Sequence, residues 1–178
     1  KFGIGKKEVL YTAGIHATEW ITSLLLIKFA QNLCNAFVSN SQIYGYDAKY
    51  LYENCSLYII PMINPDGINL VNNFYSPTSE VYISANNIAK NYPDIPFPSG
   101  WKANINGVDL NSQFPANWEL GKKIKSNLGY NKPAPRDFAG DSPLSEPESQ
   151  AMYNFALLKN FSLCLCFHSQ GEVIYWKY

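Results

Sequence analysis

Apolar residues in this chain come as short dense runs, separated by polar stretches rich in proline, asparagine and serine. The first run, residues 8–13 (Glu-Val-Leu-Tyr-Thr-Ala), reads as a buried strand and ends at Gly14-Ile15-His16. Leu24, Leu25, Ile27, Phe29 and Leu33 then predict a helix over 18–38, stopped by Asn40 and Ser41, and a short helix is predicted over 48–53. Residues 56–62 (Ser-Leu-Tyr-Ile-Ile-Pro-Met) read as a second buried strand, closed by the turn signal Asn64-Pro65-Asp66-Gly67. Residues 71–105 are polar, aromatic and proline-rich with little periodicity, which predicts a long surface excursion. Residues 107–111 read as a short strand or turn, and 115–143, with Pro133, Pro135 and Pro143, as another loop. Ser145 is placed to cap a helix, with Glu148 reaching back, Pro147 in the first turn, and Ala151, Met152, Phe155 and Leu158 as its apolar face. Residues 161–167 read as a third buried strand, and 172–176 as the start of a fourth. Strands alternating with helices predict an α/β fold with a largely parallel sheet.

Composition narrows the function classes. Of the 178 residues, 47% are hydrophobic and 15% aromatic, too rich for a disordered segment. The net charge is zero and there is no basic run, which argues against nucleic acid or an anionic membrane as partner. The apolar stretch around 24–30 is interrupted by Lys28 and reads as too short to span a bilayer. The opening Lys1-Phe2-Gly3-Ile4-Gly5 reads as the interior of a fold, not as a leader. Cys34, Cys55, Cys164 and Cys166 lack metal-type spacing and read as buried, reduced thiols. That favours a cytoplasmic compartment and leaves a cell-wall-associated one open.

Only two histidines occur, and each follows an apolar run. His16 lies three residues before Glu19, and His168 follows Phe167 at the end of the third strand. Ligands at i and i+3 share a face where a strand turns into a helix, and imidazole with carboxylate is the donor set of catalytic zinc. Neighbouring strand ends are where open α/β sheets place their sites. Standing alone, the motif reads more readily as a core histidine beside a solvated helix-start glutamate. Against thirteen lysines there is one arginine, Arg136, which marks either a need for a planar bidentate donor or a structural clamp on a loop.

Four pieces stand in the order in which the zinc carboxypeptidase family (metallocarboxypeptidases of the M14 type) carries them. They are His16-Ala17-Thr18-Glu19, Asn64-Pro65-Asp66-Gly67, Gly107-Val108-Asp109-Leu110-Asn111 and His168-Ser169. The chain resembles that family over most of its length. The resemblance implies one zinc ion held by His16, Glu19 and His168, with Asp109 as the carboxylate partner on the far nitrogen of His16. It also implies an α/β/α sandwich on a mixed, largely parallel sheet, of zinc-exopeptidase type.

Three longer stretches, 107–116, 133–138 and 168–176, resemble the branch that cleaves γ-D-glutamyl-meso-diaminopimelate bonds of bacterial cell-wall peptides. That resemblance implies a cell-wall peptide as substrate. Most family members carry, directly after the Asn111 position, an arginine that grips the substrate's terminal carboxylate; here Ser112 stands there. Asn111, Ser112 and Arg136 are therefore the candidate substrate-binding residues, with Arg136 as a replacement carboxylate clamp. Lys102 stands where many members have an arginine that polarises the scissile carbonyl, and is the candidate for oxyanion stabilisation; the plain alternative is a solvated surface lysine.

In the family, the general-base glutamate and a mobile tyrosine lie well beyond the His168 motif, and Glu172 does not occupy the glutamate's position. Residues 1–178 are thus expected to form a partial catalytic domain, its N- and C-terminal parts missing, inactive in hydrolysis alone. An incomplete sheet would leave an open edge that invites self-association. The rival expectations are an ordinary zinc carboxypeptidase or small acyl-amino-acid deacylase, a catalytically inactive module that binds cell-wall peptides, and an α/β domain without metal.

Overall fold

Three parallel strands organise the chain in the order β4-β1-β5, with β1 at Lys7–Thr12, β4 at Cys55–Ile60 and β5 at Phe161–Cys166. A computed structural model describes residues 1–176. Alternation along the strands sends Val9, Tyr11, Leu57 and Ile59 to one face, where they pack with Leu33 and Ala36 of helix α1 (Ile21–Val38) and Ala48 of helix α2 (Ala48–Asn54). Ile60 faces the other way, against Ile15, Ile63, Leu110 and Met152 of helix α6 (Pro147–Leu157). Helices thus cover both faces, an α/β/α arrangement. Phe2 makes an isolated antiparallel bridge to Leu57, while the three paired strands are all parallel. A two-residue ribbon, β2 (Gln42–Ile43) with β3 (Tyr46–Asp47), links α1 to α2.

A second packing centre supports the loop after β1. Ala17, Ile68, Leu70, Ala85, Ala89, Trp101 and Ala103 are all buried together, Trp101 completely. Ala17 belongs to that loop, and the others come from helix α3 (Pro65–Val71), helix α4 (Glu80–Ala89) and the segment following α4. Helix α5 (Trp118–Asn127) lies further along.

Several sequence expectations are corrected here. Asn64 does not close a turn: its side chain accepts a hydrogen bond from Gly67 N and caps α3, with Pro65 in the first turn. The excursion over 71–105 contains α4, capped by Ser79, and the loop over 115–143 contains α5. At α6 the cap position is Glu146, not Ser145, whose hydroxyl instead contacts Gln113 and Glu146. No strand forms over 172–176. Strand β5 is exposed along most of its length, not buried, since only β1 pairs with it among the described residues. Cys34, Cys164 and Cys166 are likewise exposed free thiols. Ala17–Val38, 22 residues with an 18-residue window of mean hydropathy 1.3, is long and apolar enough to cross a membrane by length and composition, whereas the stretch around 24–30 reads in sequence as too short. Leu26 and Leu33 of this helix are buried, while Leu24, Leu25 and Ile27 stand half-exposed.

Candidate metal centre

Strand β1 delivers the chain to a tight bend at Gly14, whose φ is +64° and where a Cβ would meet Ser23 Oγ at 2.6 Å. Only glycine fits that bend without strain. The chain then enters a 3-10 turn at Ala17–Glu19, with His16 at its start. One turn of helix brings residues i and i+3 to the same side, so His16 Nδ1 lies 3.1 Å from Glu19 Oε1. Strand β5 runs beside β1 with Cys166 opposite Thr12, and Phe167 N donates to Thr12 O at 2.8 Å. His168 therefore emerges next to His16, their ring centroids 5.0 Å apart. His168 Nδ1 lies 2.9 Å from Glu19 Oε2, which also accepts from Ser169 N at 3.3 Å. One ligand atom from each of His16, Glu19 and His168 can be chosen so that all lie within 4.8 Å of one another.

The far nitrogen of His16 is held as well. His16 Nε2 lies 3.2 Å from Oδ1 of the buried Asp109. Asp109 in turn accepts from Asn111 N at Oδ1 and from Asp137 N at Oδ2, and its own N–H donates to Phe138 O. A proton on Nε2 shared with Asp109 leaves the Nδ1 lone pair aimed at Glu19, the tautomer that a metal requires. Two imidazole nitrogens converging on one buried carboxylate fit zinc in number and in donor type. Without a metal, burial pulls the His16 imidazolium down, but hydrogen bonds to Asp109 and Glu19 outweigh it and raise the pKa to about 9. Burial pushes Glu19 up, yet the bonds from His16 and His168 hold it far below the usual carboxylate range. The cluster thus stores positive charge on His16 against an ionised Glu19.

Lys102 joins the same group. Its Nζ lies 3.4 Å from Glu19 Oε1 and 2.5 Å from Gln170 Oε1, with only 12% of the side chain exposed. Its backbone is pinned on both sides: Lys102 N donates to Pro135 O, and Ala17 N donates to Lys102 O. The solvated-lysine alternative therefore does not describe it.

The other predicted residues are reached indirectly. Asn111 is exposed and touches the centre through its backbone N–H, and Ser112 N donates to Asp109 O. Arg136 Nε donates to Asp137 Oδ2 at 2.8 Å, with 41% of its side chain exposed. No hydrogen bond or ion pair joins the Asn111, Ser112 or Arg136 side chains to His16, Glu19 or His168 among the described residues. Gln170 was not singled out by the sequence reading. Its signal was its place in the 168–176 stretch, two residues after His168.

A family profile described as zinc carboxypeptidase matches residues 3–178. The chain is similar to γ-D-glutamyl-L-diamino acid endopeptidase 1 of Lysinibacillus sphaericus, 43% identical over 99% of this chain and 43% of that one. It is also similar to carboxypeptidase O of Bos taurus, 27% identical over 97% of this chain and 40% of that one. Among solved structures, thrombin-activatable fibrinolysis inhibitor matches with a TM-score of 0.64 at 21% identity, over 96% of this chain and 37% of its own. Carboxypeptidase A of Helicoverpa armigera matches with a TM-score of 0.59 at 24% identity, over 93% and 34%. The last two likenesses bear on fold alone. The chain spans less than half the length of these relatives.

Proposed function

The chain belongs to the zinc carboxypeptidase family, and on that premise we propose that it acts, as a zinc-dependent peptidase, on the γ-D-glutamyl-meso-diaminopimelate bond of bacterial cell-wall peptides. One observation carries the chemistry: Nδ1 of His16 and Nδ1 of His168 face the two oxygens of a single Glu19 carboxylate, while Asp109 occupies the other nitrogen of His16.

His16, Glu19 and His168 would hold the ion, which supplies Lewis acidity for the scissile carbonyl and for the attacking water. Asp109 keeps the His16 ring oriented with its proton on Nε2. The Lys102 ammonium, little exposed beside Glu19, is placed to stabilise negative charge that develops on the carbonyl oxygen. Lysine offers the charge there without the fork of an arginine.

Two residues on neighbouring loops support the substrate class. Ser112 carries no charge at the position following Asn111, so the grip on an ordinary C-terminal carboxylate is weak. Arg136 sits on the loop whose Asp137 N–H supports Asp109, and its guanidinium is partly exposed. Meso-diaminopimelate has a second amino-acid centre, whose carboxylate a displaced arginine can take. The relative named for γ-D-glutamyl-L-diamino acid bonds, at 43% identity, supports this choice over an ordinary carboxypeptidase.

The test is calorimetric binding of L-alanyl-γ-D-glutamyl-meso-diaminopimelate and of a simple C-terminal dipeptide to the zinc-loaded chain. The diaminopimelate peptide should bind more tightly. Arg136→Ala should remove that preference at a cost of about 2 kcal/mol, as expected for a lost charge-assisted pair. Equal binding of both peptides by wild type contradicts the substrate assignment.

A further inference from the structure

Glu19 is crowded. Its two oxygens receive His16 Nδ1, His168 Nδ1, Ser169 N and, at 3.4 Å, the Lys102 ammonium. An ammonium that closes fully on this carboxylate competes with any metal for it. It also spends the charge that a substrate oxyanion would use. Lys102 has little water to turn to, since its side chain is 12% exposed. Its shortest contact is instead the neutral amide oxygen of Gln170, at 2.5 Å. Gln170 owes that position to its neighbours: His168 and Ser169, just before it, are both bonded to Glu19 Oε2.

We infer that Gln170 is a positioning residue for Lys102, holding the ammonium on an uncharged acceptor so that Glu19 stays free for the metal and Lys102 keeps its charge for substrate. This rests on the metal-site reading above. An amide suits the task because it accepts a strong hydrogen bond from an ammonium without neutralising it. A leucine at position 170 would leave Lys102 with Glu19 as its partner. A glutamate there would still draw the ammonium away from Glu19.

The experiment is a zinc-affinity cycle by chelator competition on the 178-residue chain, comparing wild type, Gln170→Leu, Gln170→Glu, Lys102→Met and the Gln170→Leu/Lys102→Met double variant. Gln170 is exposed, so its replacement leaves the core intact. Gln170→Leu should weaken zinc binding about tenfold, the lower end of what loss of an outer partner costs a metal site. The double variant should return to within about twofold of Lys102→Met, because the competitor has gone. Gln170→Glu should bind zinc at least as tightly as wild type. A Gln170→Leu loss that persists in full in the Lys102→Met background overturns the inference, as does no loss at all, or an equal loss in Gln170→Glu. Wild type that takes up no zinc overturns the metal-site reading itself, and this inference with it.

Discussion

Asp109 Oδ1 lies 3.2 Å from His16 Nε2, while Nδ1 on the opposite side of the same ring lies 3.1 Å from Glu19. One imidazole is thus held between two carboxylates from distant parts of the chain. Asp109 is itself anchored by two backbone N–H groups, from Asn111 and Asp137. The ring cannot turn without breaking bonds on both sides.

Replacing Asp109 tests that arrangement. Asp109→Ala should weaken zinc binding by about ten- to a hundredfold, because the ring loses its orienting partner and Nδ1 its basicity. Chelator competition measures it. Unfolding in denaturant should show a parallel loss of stability, since the Asn111 and Asp137 N–H groups lose their acceptor.

Gln113 should prove a stability residue. It is fully buried, accepts from Ser145 Oγ, Glu146 N and Ser149 Oγ, and donates to Ala139 O and Ser142 O. Gln113→Leu removes all five bonds, though Ser145, Ser149 and Ala139 each keep another, and should destabilise the fold by about 3 kcal/mol in urea unfolding.

Acid should act through Asp137. Burial pushes this carboxyl up, but hydrogen bonds from Lys125 and Arg136 outweigh burial and hold it below its ordinary value. A depressed folded-state pKa contributes stability that is fully present above the unfolded value, near 3.8, and is lost as pH falls through the folded one. Thermal midpoints of chelator-treated protein should therefore fall more steeply from about pH 5 to about pH 3 in wild type than in Asp137→Asn.

Among the described residues nothing pairs with the outer edge of strand β5, where Leu163 is 47% and Leu165 37% exposed. Unpaired strand edges template association. Sedimentation should show concentration-dependent self-association of the wild-type chain, and Leu163→Lys should reduce it.

The candidate metal-site residues were legible because His16-Ala17-Thr18-Glu19 and His168-Ser169 stand among four motifs in the family's order. Strands β1, β4 and β5 and helix α1 followed from dense apolar runs, whereas β2 and β3 did not and the strand expected over 172–176 does not form. Helices α4 and α5 were not legible: α4 buries only Ala85 and Ala89, and α5 only Trp118, so neither shows a continuous apolar stripe. Exposure of β5 was hidden because a sequence records that Leu163 and Leu165 are apolar, not whether anything covers them. The roles of Gln113 and Gln170 were not legible either, although each lies in a stretch that resembles the cell-wall branch. A polar side chain reads as surface until its partners, which lie far along the chain, are brought to it.

X-ray absorption at the zinc edge tests the central claim most directly, on wild type and His168→Ala each loaded with one equivalent of zinc. Wild type should show nitrogen and oxygen neighbours at about 2.0–2.1 Å with scattering from two imidazoles, and the variant from one. Sulfur at about 2.3 Å from the exposed Cys164 or Cys166, or identical spectra for the two proteins, would contradict it.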